Sequence, residues 1–306
     1  MNLWEMVKSS VEGNNMNPKK ISRKLEDLAE IMKAELKKRV LEKSHTGIIF
    51  FVGDIHGDFN TLRRILEKVE VSSIEKEETN LVFLGDYIDR GPNQLECLLT
   101  LLEIWTIFPK AVILLRGNHE PLSNVSPYPH DFPEELITRF GYEEGNEVYL
   151  RSRELFEVLP MVAIINKEIL AVHGGLPTST YMKTESLIEY LTGRGREENL
   201  SVAVELLWND PIDEPLVRLP SPRGAGYLWG TPVTEWVKRN FGLKLVIRGH
   251  EPSDMGYKFN HSGSVLTLFS RMGPPYFNRA AAYVALDLSN ELWAKSLLSS
   301  ILFITE

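Results

Sequence analysis

The chain of 306 residues contains one cysteine, so no disulfide framework can stabilise its fold. No apolar run reaches the roughly 18 residues that a membrane-spanning helix needs, and the first residues lack the basic-then-apolar pattern of a secretory signal. The formal net charge of −8 argues against nucleic acid as the main partner, because binding a phosphate backbone needs a basic surface. These absences predict a globular protein of a reducing compartment, by default the cytoplasm, with neither membrane nor nucleic acid as a partner.

The composition fits one large globular domain. Hydrophobic residues make up 43% of the chain and charged residues 25%, which is ordinary for a chain that buries its own core. We find no internal repeat, low-complexity stretch or interdomain linker. Cys97 lies in the apolar segment QLECLLTLLEIW, which predicts a buried helix, and it lacks the downstream arginine of a cysteine-phosphatase loop. We therefore interpret this cysteine as a core residue.

Four short segments contain most of the residues that are suited to chemistry. Each follows a short apolar run that is typical of a buried strand, and each brings polar side chains into a glycine-rich turn. Ligands from separate strands can converge at such turns, so one shared site is the economical interpretation. The segments are GDIHG at 53–57, GDYIDRG at 85–91, RGNHE at 116–120 and HGG at 173–175, and the predicted strands before them are 48–52, 81–84, 111–115 and 169–172.

The spacing of these segments favours one sheet. Asp54, Asp86 and Asn118 follow one another at intervals of 32 residues, about the length of one βαβ unit, which predicts consecutive strands that end at the same rim. A single Asp or His after a strand is more often a turn former or a helix cap than a ligand. The set is more informative, because four of the seven histidines lie beside Gly or Asn at strand ends: His56, His119, His173 and His250.

With these segments in this order, the chain resembles the metal-dependent serine/threonine phosphoprotein phosphatases (the PPP family) of the calcineurin-like metallophosphoesterase superfamily. The family pattern is GDxHG, GDxxDRG, GNHE and HGG, followed by a late Arg and a late His. Further matching segments are LLWNDP at 206–211, PRGAGYLWG at 222–230 and IRGH at 247–250. The resemblance extends over about residues 48–288, and an altered late loop favours a prokaryotic or archaeal type.

The resemblance implies an α/β (α+β) fold with a central β-sandwich of two mixed sheets flanked by helices. We expect a catalytic domain at 46–306, preceded by an N-terminal helical extension at 1–45. Within that extension a turn is predicted at 13–18, and residues 21–43 have apolar side chains at helical intervals. A helix packed on the catalytic domain is favoured over a partner-binding helix, and Trp4 is a candidate anchor for its end.

A mixed set of carboxylate, imidazole and carboxamide groups suits manganese, iron or zinc better than calcium. The resemblance implies two divalent or transition-metal ions, with manganese expected in vitro and iron, zinc, nickel or cobalt as alternatives. A carboxylate that bridges two ions requires them to lie about 3.5–4 Å apart. The metal ligands implied by the resemblance are Asp54 and His56 for the first ion, Asn118, His173 and His250 for the second, and Asp86 for both.

Phosphate monoesters are dianionic, so the site needs cationic groups. Arg90 and Arg223 lie in matching motifs, and a guanidinium is well shaped for phosphoryl oxygens, although either arginine alone would more often be a solvated surface charge. Asn118 is a further candidate for binding phosphate. His119 is the candidate acid that protonates the leaving oxygen, and Asp89 is the candidate residue that orients its imidazole.

The predicted function is hydrolysis of phosphoserine and phosphothreonine in phosphoproteins or phosphopeptides, by a hydroxide that bridges the two metals. The main alternative is a dinucleoside tetraphosphate hydrolase of the same superfamily, which typically has Asp after GNH and a different second motif. Glu120 and the intact GDYIDRG favour the protein phosphatase. A catalytically dead phosphopeptide-binding scaffold is disfavoured, because every expected ligand is present. The sequence predicts no particular regulatory subunit.

Two departures from the family pattern concern the rim of the site. Asp58 stands where many relatives have an uncharged polar residue, and is interpreted either as an acid that supports the site or as a turn residue. The late loop, RMGPPYFNRAAA at 271–282, lacks the SAPNY-type sequence and the cysteine of eukaryotic relatives. Tyr276 in this loop is a weak candidate for a contact with the substrate.

The remaining chain predicts alternating helices and strands. A helix is expected at 149–158, followed by a hairpin of two strands, 161–165 and 168–172, whose short turn is Asn166 and Lys167. Further strands are expected at 244–247, 264–269, 281–286 and 293–298.

Overall fold

The apolar runs before the glycine-rich turns form strands of two mixed sheets, in a computed structural model that describes residues 1–12, 16–36 and 39–305. The helices are α1 Leu3–Glu12, α2 Pro18–Leu36, α3 Phe59–Leu66, α4 Val71–Glu75, α5 Gln94–Ile107, α6 Phe132–Phe140, α7 Tyr142–Val158, α8 Leu187–Thr192, α9 Arg196–Trp208, α10 Thr231–Phe241 and α11 Trp293–Ser296. The strands are β1 Val40–Lys43, β2 Ile48–Val52, β3 Thr79–Phe83, β4 Val112–Leu114, β5 Val162–Ile165, β6 Ile169–Val172, β7 Asp210–Pro211, β8 Arg218–Pro220, β9 Tyr227–Trp229, β10 Leu245–Arg248, β11 Tyr257–Asn260, β12 Val265–Leu268, β13 Ala281–Asp287 and β14 Ile301–Ile304.

The first sheet has the strand order β14-β13-β2-β3-β4, and the second has the order β1-β5-β6-β10-β12-β11. Strands β2, β3 and β4 are parallel neighbours, so the prediction that the first three segments follow consecutive strands of one sheet is confirmed. The hairpin of β5 and β6 is confirmed too, and its turn residues Asn166 and Lys167 both have positive φ, at 52° and 58°. A small third sheet has the order β7-β9-β8.

The core of the sandwich lies between the two large sheets. In β2, Ile49 and Phe51 pack into this interior, whereas Phe50 and Val52 face a layer of helices on the outer side. This alternation follows from the two-residue period of a strand. It explains the apolar residues from Ile49 to Val52, because both faces of the strand are buried there, whereas Ile48 at its start is 41% exposed.

Helices cover both outer faces. Cys97 is fully buried in α5 within the outer core of the first sheet, so the predicted buried helix and core cysteine are confirmed. Helix α2 buries Leu25, Leu28 and Met32 in the same cluster, which confirms that a helix of the N-terminal segment packs on the rest of the chain. Trp4 is buried and meets Phe59 edge to face, with ring centroids 5.5 Å apart. No helix in the described ranges is both long and apolar enough to cross a membrane.

Two element predictions are wrong. The helix predicted to reach residue 43 ends at Leu36, and Val40–Lys43 is a strand that pairs in parallel with β5, because tertiary pairing overrides the helical spacing of a short segment. The strand predicted at 293–298 is wrong, because residues 293–296 form the short helix α11, which contains the helix formers Ala294 and Lys295, and the strand follows at Ile301–Ile304. Residues 13–15 of the predicted turn, and 37–38, lie outside the described residues, and the division into 1–45 and 46–306 stays a prediction.

Candidate metal centre

Both sheets contribute to one cluster of polar side chains at their carboxyl edges. Asp54, Asp86 and Asn118 come from the turns after β2, β3 and β4, while His173 and His250 follow β6 and β10 of the other sheet. All five side chains are buried, none with more than 6% of its surface exposed. The site therefore lies where the ends of the two sheets meet.

The backbone of these turns is unusual. A positive φ is uncommon in non-glycine residues and concentrates at functional sites. Gly117 is required by a close approach, because a Cβ at this position would lie 2.2 Å from Asp86 Oδ1. The site residues with positive φ are His56, Asp86, Asp89, Arg90 and His250, at 43°, 58°, 66°, 71° and 70°.

The first group of ligand atoms surrounds His56. Its Nδ1 donates to the carbonyl of Ile88 at 2.8 Å, so Nε2 of the neutral ring carries a lone pair. That nitrogen faces Asp86 Oδ2 at 3.3 Å and Asp54 Oδ2 at 3.9 Å, and Asp54 Oδ2 is buried without a hydrogen-bond partner. The lone pair of His56 Nε2 therefore faces the lone pairs of two carboxylate oxygens, and this arrangement is stable only with a cation or a proton between them.

The second group has the same character. His173 donates from Nδ1 to the carbonyl of Leu84 at 3.0 Å, so its Nε2 also carries a lone pair. This nitrogen lies 2.9 Å from Asn118 Oδ1, 3.2 Å from His250 Nδ1 and 3.4 Å from Asp86 Oδ1. Asp86 thus presents one carboxylate oxygen to each group.

The electrostatics of the site fit two bound cations. Burial lowers the pKa of all four site histidines well below the usual value and so favours their neutral form: His56, His119, His173 and His250. A neutral imidazole can act as a metal ligand, which His56, His173 and His250 are expected to do. Burial also raises the pKa of Asp54 to about 7 and that of Asp86 well above its usual value. A bound metal ion would stabilise the ionised form of these two buried carboxylates. The mixed set of nitrogen and oxygen donors suits divalent transition metals.

Glu120 holds two of the turns together. Its buried carboxylate accepts hydrogen bonds from the backbone N–H groups of Asp86 at 2.8 Å, Tyr87 at 2.8 Å and Gly117 at 2.9 Å. From the sequence, Glu120 served only to distinguish two enzyme classes, and its role in joining the turns was not predicted. Its place in the RGNHE segment was the available signal.

His119 and Asp89 form a direct pair, with His119 Nδ1 2.5 Å from Asp89 Oδ2. The same carboxylate oxygen also accepts a hydrogen bond from His130 Nδ1 at 2.7 Å. His130 was not predicted from the sequence, because it lies in SPYPHDF, outside every matching segment. A ring nitrogen of His119 lies within 4.8 Å of the ligand atoms of His56 and Asp86, so distance alone also permits a role as a metal ligand.

The two predicted arginines have different surroundings. Arg223 Nε donates to Asp210 Oδ2 at 2.6 Å, and the other oxygen of Asp210 binds the fully buried Arg248 at 2.9 Å. Asp210 and Arg248 were not predicted individually, although both lie in matching segments. Arg90 Nη1 donates to the hydroxyl of Tyr276, and Arg90 Nε is buried without a partner.

The late loop closes one side of the site. The ring of Tyr276 stacks on that of His56, with centroids 6.0 Å apart, and burial raises the pKa of Tyr276 to about 12, so its hydroxyl stays protonated. Asp58 caps helix α3 by accepting from Thr61 N at 3.0 Å, and its other oxygen accepts from Met272 N at 2.8 Å. Asp58 therefore ties the first metal-site turn to the late loop.

Comparison with known proteins finds serine/threonine-protein phosphatases among the relatives of this chain. Two relatives are a probable serine/threonine-protein phosphatase of Encephalitozoon cuniculi, 36% identical over 76% of this chain and 48% of the relative, and serine/threonine-protein phosphatase 5 of Solanum lycopersicum, 35% identical over 71% of this chain and 37% of the relative. The chain thus spans less than half the length of each relative.

A solved serine/threonine phosphatase from Saccharomyces cerevisiae has the same fold, with a TM-score of 0.74 at 22% identity over 100% of this chain and 96% of that one. The family model described as calcineurin-like phosphoesterase matches residues 48–254, which is more than half of the sequence. The chain belongs to the calcineurin-like phosphoesterase family.

Proposed function

We propose that this chain hydrolyses phosphoserine and phosphothreonine monoesters in proteins or peptides, using two metal ions. The observation that carries the proposal is the pair of ligand groups that share the Asp86 carboxylate, one around His56 and one around His173. The names of the two relatives support the choice of substrate.

The family implies a dinuclear divalent-metal site, and the two ligand groups fit it. When bound, two such ions supply positive charge for the phosphoryl oxygens and a water acidic enough to ionise near neutral pH. We propose manganese as the metal in vitro, with iron, zinc, nickel or cobalt as alternatives. The proposed ligands are Asp54 and His56 for one ion, Asn118, His173 and His250 for the other, and Asp86 for both.

Arg90 and Arg223 are proposed to bind the phosphoryl oxygens, with Asn118 as a further contact. Arg223 is positioned by its bond to Asp210, whose negative charge also offsets that of buried Arg248. Arg90 has a buried Nε without a partner, which a phosphoryl oxygen can satisfy. Tyr276, which bonds to Arg90, is proposed to lie beside the bound substrate.

His119 is proposed to protonate the leaving oxygen. Serine and threonine alkoxides are poor leaving groups, so a positioned acid contributes roughly 10²–10⁴ in rate. Burial lowers the pKa of His119, so its protonated form depends on the adjacent Asp89 carboxylate and on the negative charge of the bound phosphate ester. Asp89 bonds to Nδ1 of the ring, which leaves Nε2 for the proton that is transferred.

The proposal is tested by assaying the manganese-reconstituted chain on a phosphoserine peptide and on a dinucleoside tetraphosphate side by side. We expect a higher kcat/KM on the peptide, and no turnover of the peptide by the Asp86→Asn variant. A strong preference for the nucleotide would replace the proposal with the dinucleoside tetraphosphate hydrolase. If the chain binds the phosphopeptide but does not hydrolyse it after reconstitution with manganese, iron, zinc, nickel or cobalt, the result would support a phosphopeptide-binding scaffold. The cytoplasmic location stays a prediction.

A further inference from the structure

The carboxylate of Asp89 binds two imidazoles rather than one. Its Oδ2 accepts from His119 Nδ1 at 2.5 Å and from His130 Nδ1 at 2.7 Å, and its Oδ1 accepts from the backbone N–H of Phe132 at 2.9 Å. The Asp89 side chain is fully buried and that of His130 is 13% exposed. Every strong contact of the carboxylate is therefore fixed by the protein rather than by solvent.

The direction of these hydrogen bonds is determined by the groups themselves. An ionised carboxylate only accepts, so both histidines donate to it from Nδ1. The other ring nitrogen of His130, Nε2, lies 2.8 Å from the hydroxyl of Tyr149 and accepts a hydrogen bond from it. The ring of Tyr149 in turn packs edge to face on Phe132, with centroids 6.4 Å apart. The hydrogen bonds run in one direction, from Tyr149 through His130 to Asp89.

We infer that His130 is a positioning residue for the proton donor His119, because it prevents rotation of the Asp89 carboxylate. The backbone N–H of Phe132 binds one oxygen, and the His130 ring binds the other, which is the oxygen that His119 also contacts. Without His130, that oxygen keeps only one donor and can turn away from His119. This inference rests on the proposed roles of His119 and Asp89, and assigns His130 no contact with substrate or metal.

The test uses two substitutions that differ in one hydrogen bond. The side-chain amide of asparagine places a donor close to the position of histidine Nδ1, so His130→Asn retains the bond to Asp89, whereas His130→Leu removes it. The substrates are phenyl phosphate, whose phenol has a pKa of about 10, and p-nitrophenyl phosphate, whose phenolate leaves without help. Aryl phosphates are used so that the test remains valid even if phosphoserine peptides are not hydrolysed.

We expect His130→Leu to lower kcat on phenyl phosphate about tenfold more than on p-nitrophenyl phosphate, because only the first reaction needs the proton. His130→Asn should restore most of that difference, and Tyr149→Phe should change it less than His130→Leu. Metal content and KM should stay unchanged in all three variants, and p-nitrophenyl phosphate turnover reports that each variant is folded.

Equal losses on both substrates in His130→Leu, or an asparagine variant no better than the leucine variant, would overturn the inference. Loss of metal in His130→Leu would also overturn it, because the residue would then act on the metal site instead. If wild type hydrolyses both aryl phosphates but no phosphoserine peptide, the proposed function fails while the role of His130 is still decided.

Discussion

Replacing Glu120 with glutamine tests how the metal-site turns are held together. The carboxylate accepts three backbone hydrogen bonds inside the protein, with one oxygen taking those of Asp86 and Gly117 and the other taking that of Tyr87. Glutamine has one acceptor oxygen. In its best orientation this oxygen keeps the first two bonds, and the amide NH₂ then faces the N–H of Tyr87, so that two donors meet.

The cost follows from these contacts. One buried N–H loses its partner, at about 1–3 kcal/mol, and the two remaining bonds lose their charge assistance, at about 1 kcal/mol each. Burial raises the pKa of Glu120, so removing the charge returns part of this cost. We expect the free energy of unfolding of the metal-free protein to fall by about 2–4 kcal/mol.

The assay is urea denaturation of wild type, Glu120→Gln and a control with the same chemical change, Glu154→Gln. Glu154 pairs with Arg151 on the surface and is 53% exposed, so its loss should cost at most about 0.5 kcal/mol. A change at Glu120 no larger than that at Glu154 would refute the structural role of Glu120.

Three further predictions concern the metals, the phosphate and pH. Asp86→Asn should weaken binding of both metal ions, whereas Asp54→Asn should affect mainly one. Elemental analysis that finds two tightly held ions in Asp86→Asn would contradict the shared carboxylate. Arg223→Ala should weaken inhibition by inorganic phosphate roughly tenfold, or about 1.5 kcal/mol, at unchanged metal content. This free energy is at the low end for a charge-assisted hydrogen bond, because the Arg223 side chain keeps 33% of its surface exposed. An unaltered inhibition constant for phosphate would show that Arg223 is only a surface charge. Burial raises the pKa of Glu135 from 4.5 to about 7, so its stabilising contribution is complete below pH 4.5 and is lost as the pH rises through about 7. The unfolding free energy of wild type relative to Glu135→Gln should therefore fall between about pH 4.5 and pH 7, and a difference independent of pH would contradict the shift.

The strands and turns of the site could be predicted because local signals determine them. Apolar runs such as IIFFV need two buried faces, and glycine-rich turns at their ends place polar side chains at one rim. The same reasoning gave the hairpin turn at Asn166 and Lys167. Each of these features depends on residues that are close together in the sequence.

The features that could not be predicted depend on contacts between distant residues. His130 reaches Asp89 across 41 positions of the sequence, and nothing in SPYPHDF marks a histidine that binds a buried carboxylate. Arg248 pairs with Asp210 across 38 positions. Strand β1 was predicted as helix because its pairing with β5 is invisible in the spacing of its own side chains.

Metal binding and proton donation are proposed for different residues, and His119 is the residue at which that difference can be tested. Its ring lies close enough to His56 and Asp86 to ligate a metal, yet its Nδ1 is bound by Asp89. The decisive measurement is the metal content of His119→Ala, together with its kcat on a phosphoserine peptide and on p-nitrophenyl phosphate. We predict that both metals are retained and that activity falls by about 10²-fold or more on the peptide, but far less on the aryl phosphate. Loss of a metal ion, or an equal fall on both substrates with chemistry rate-limiting in each, would contradict the account.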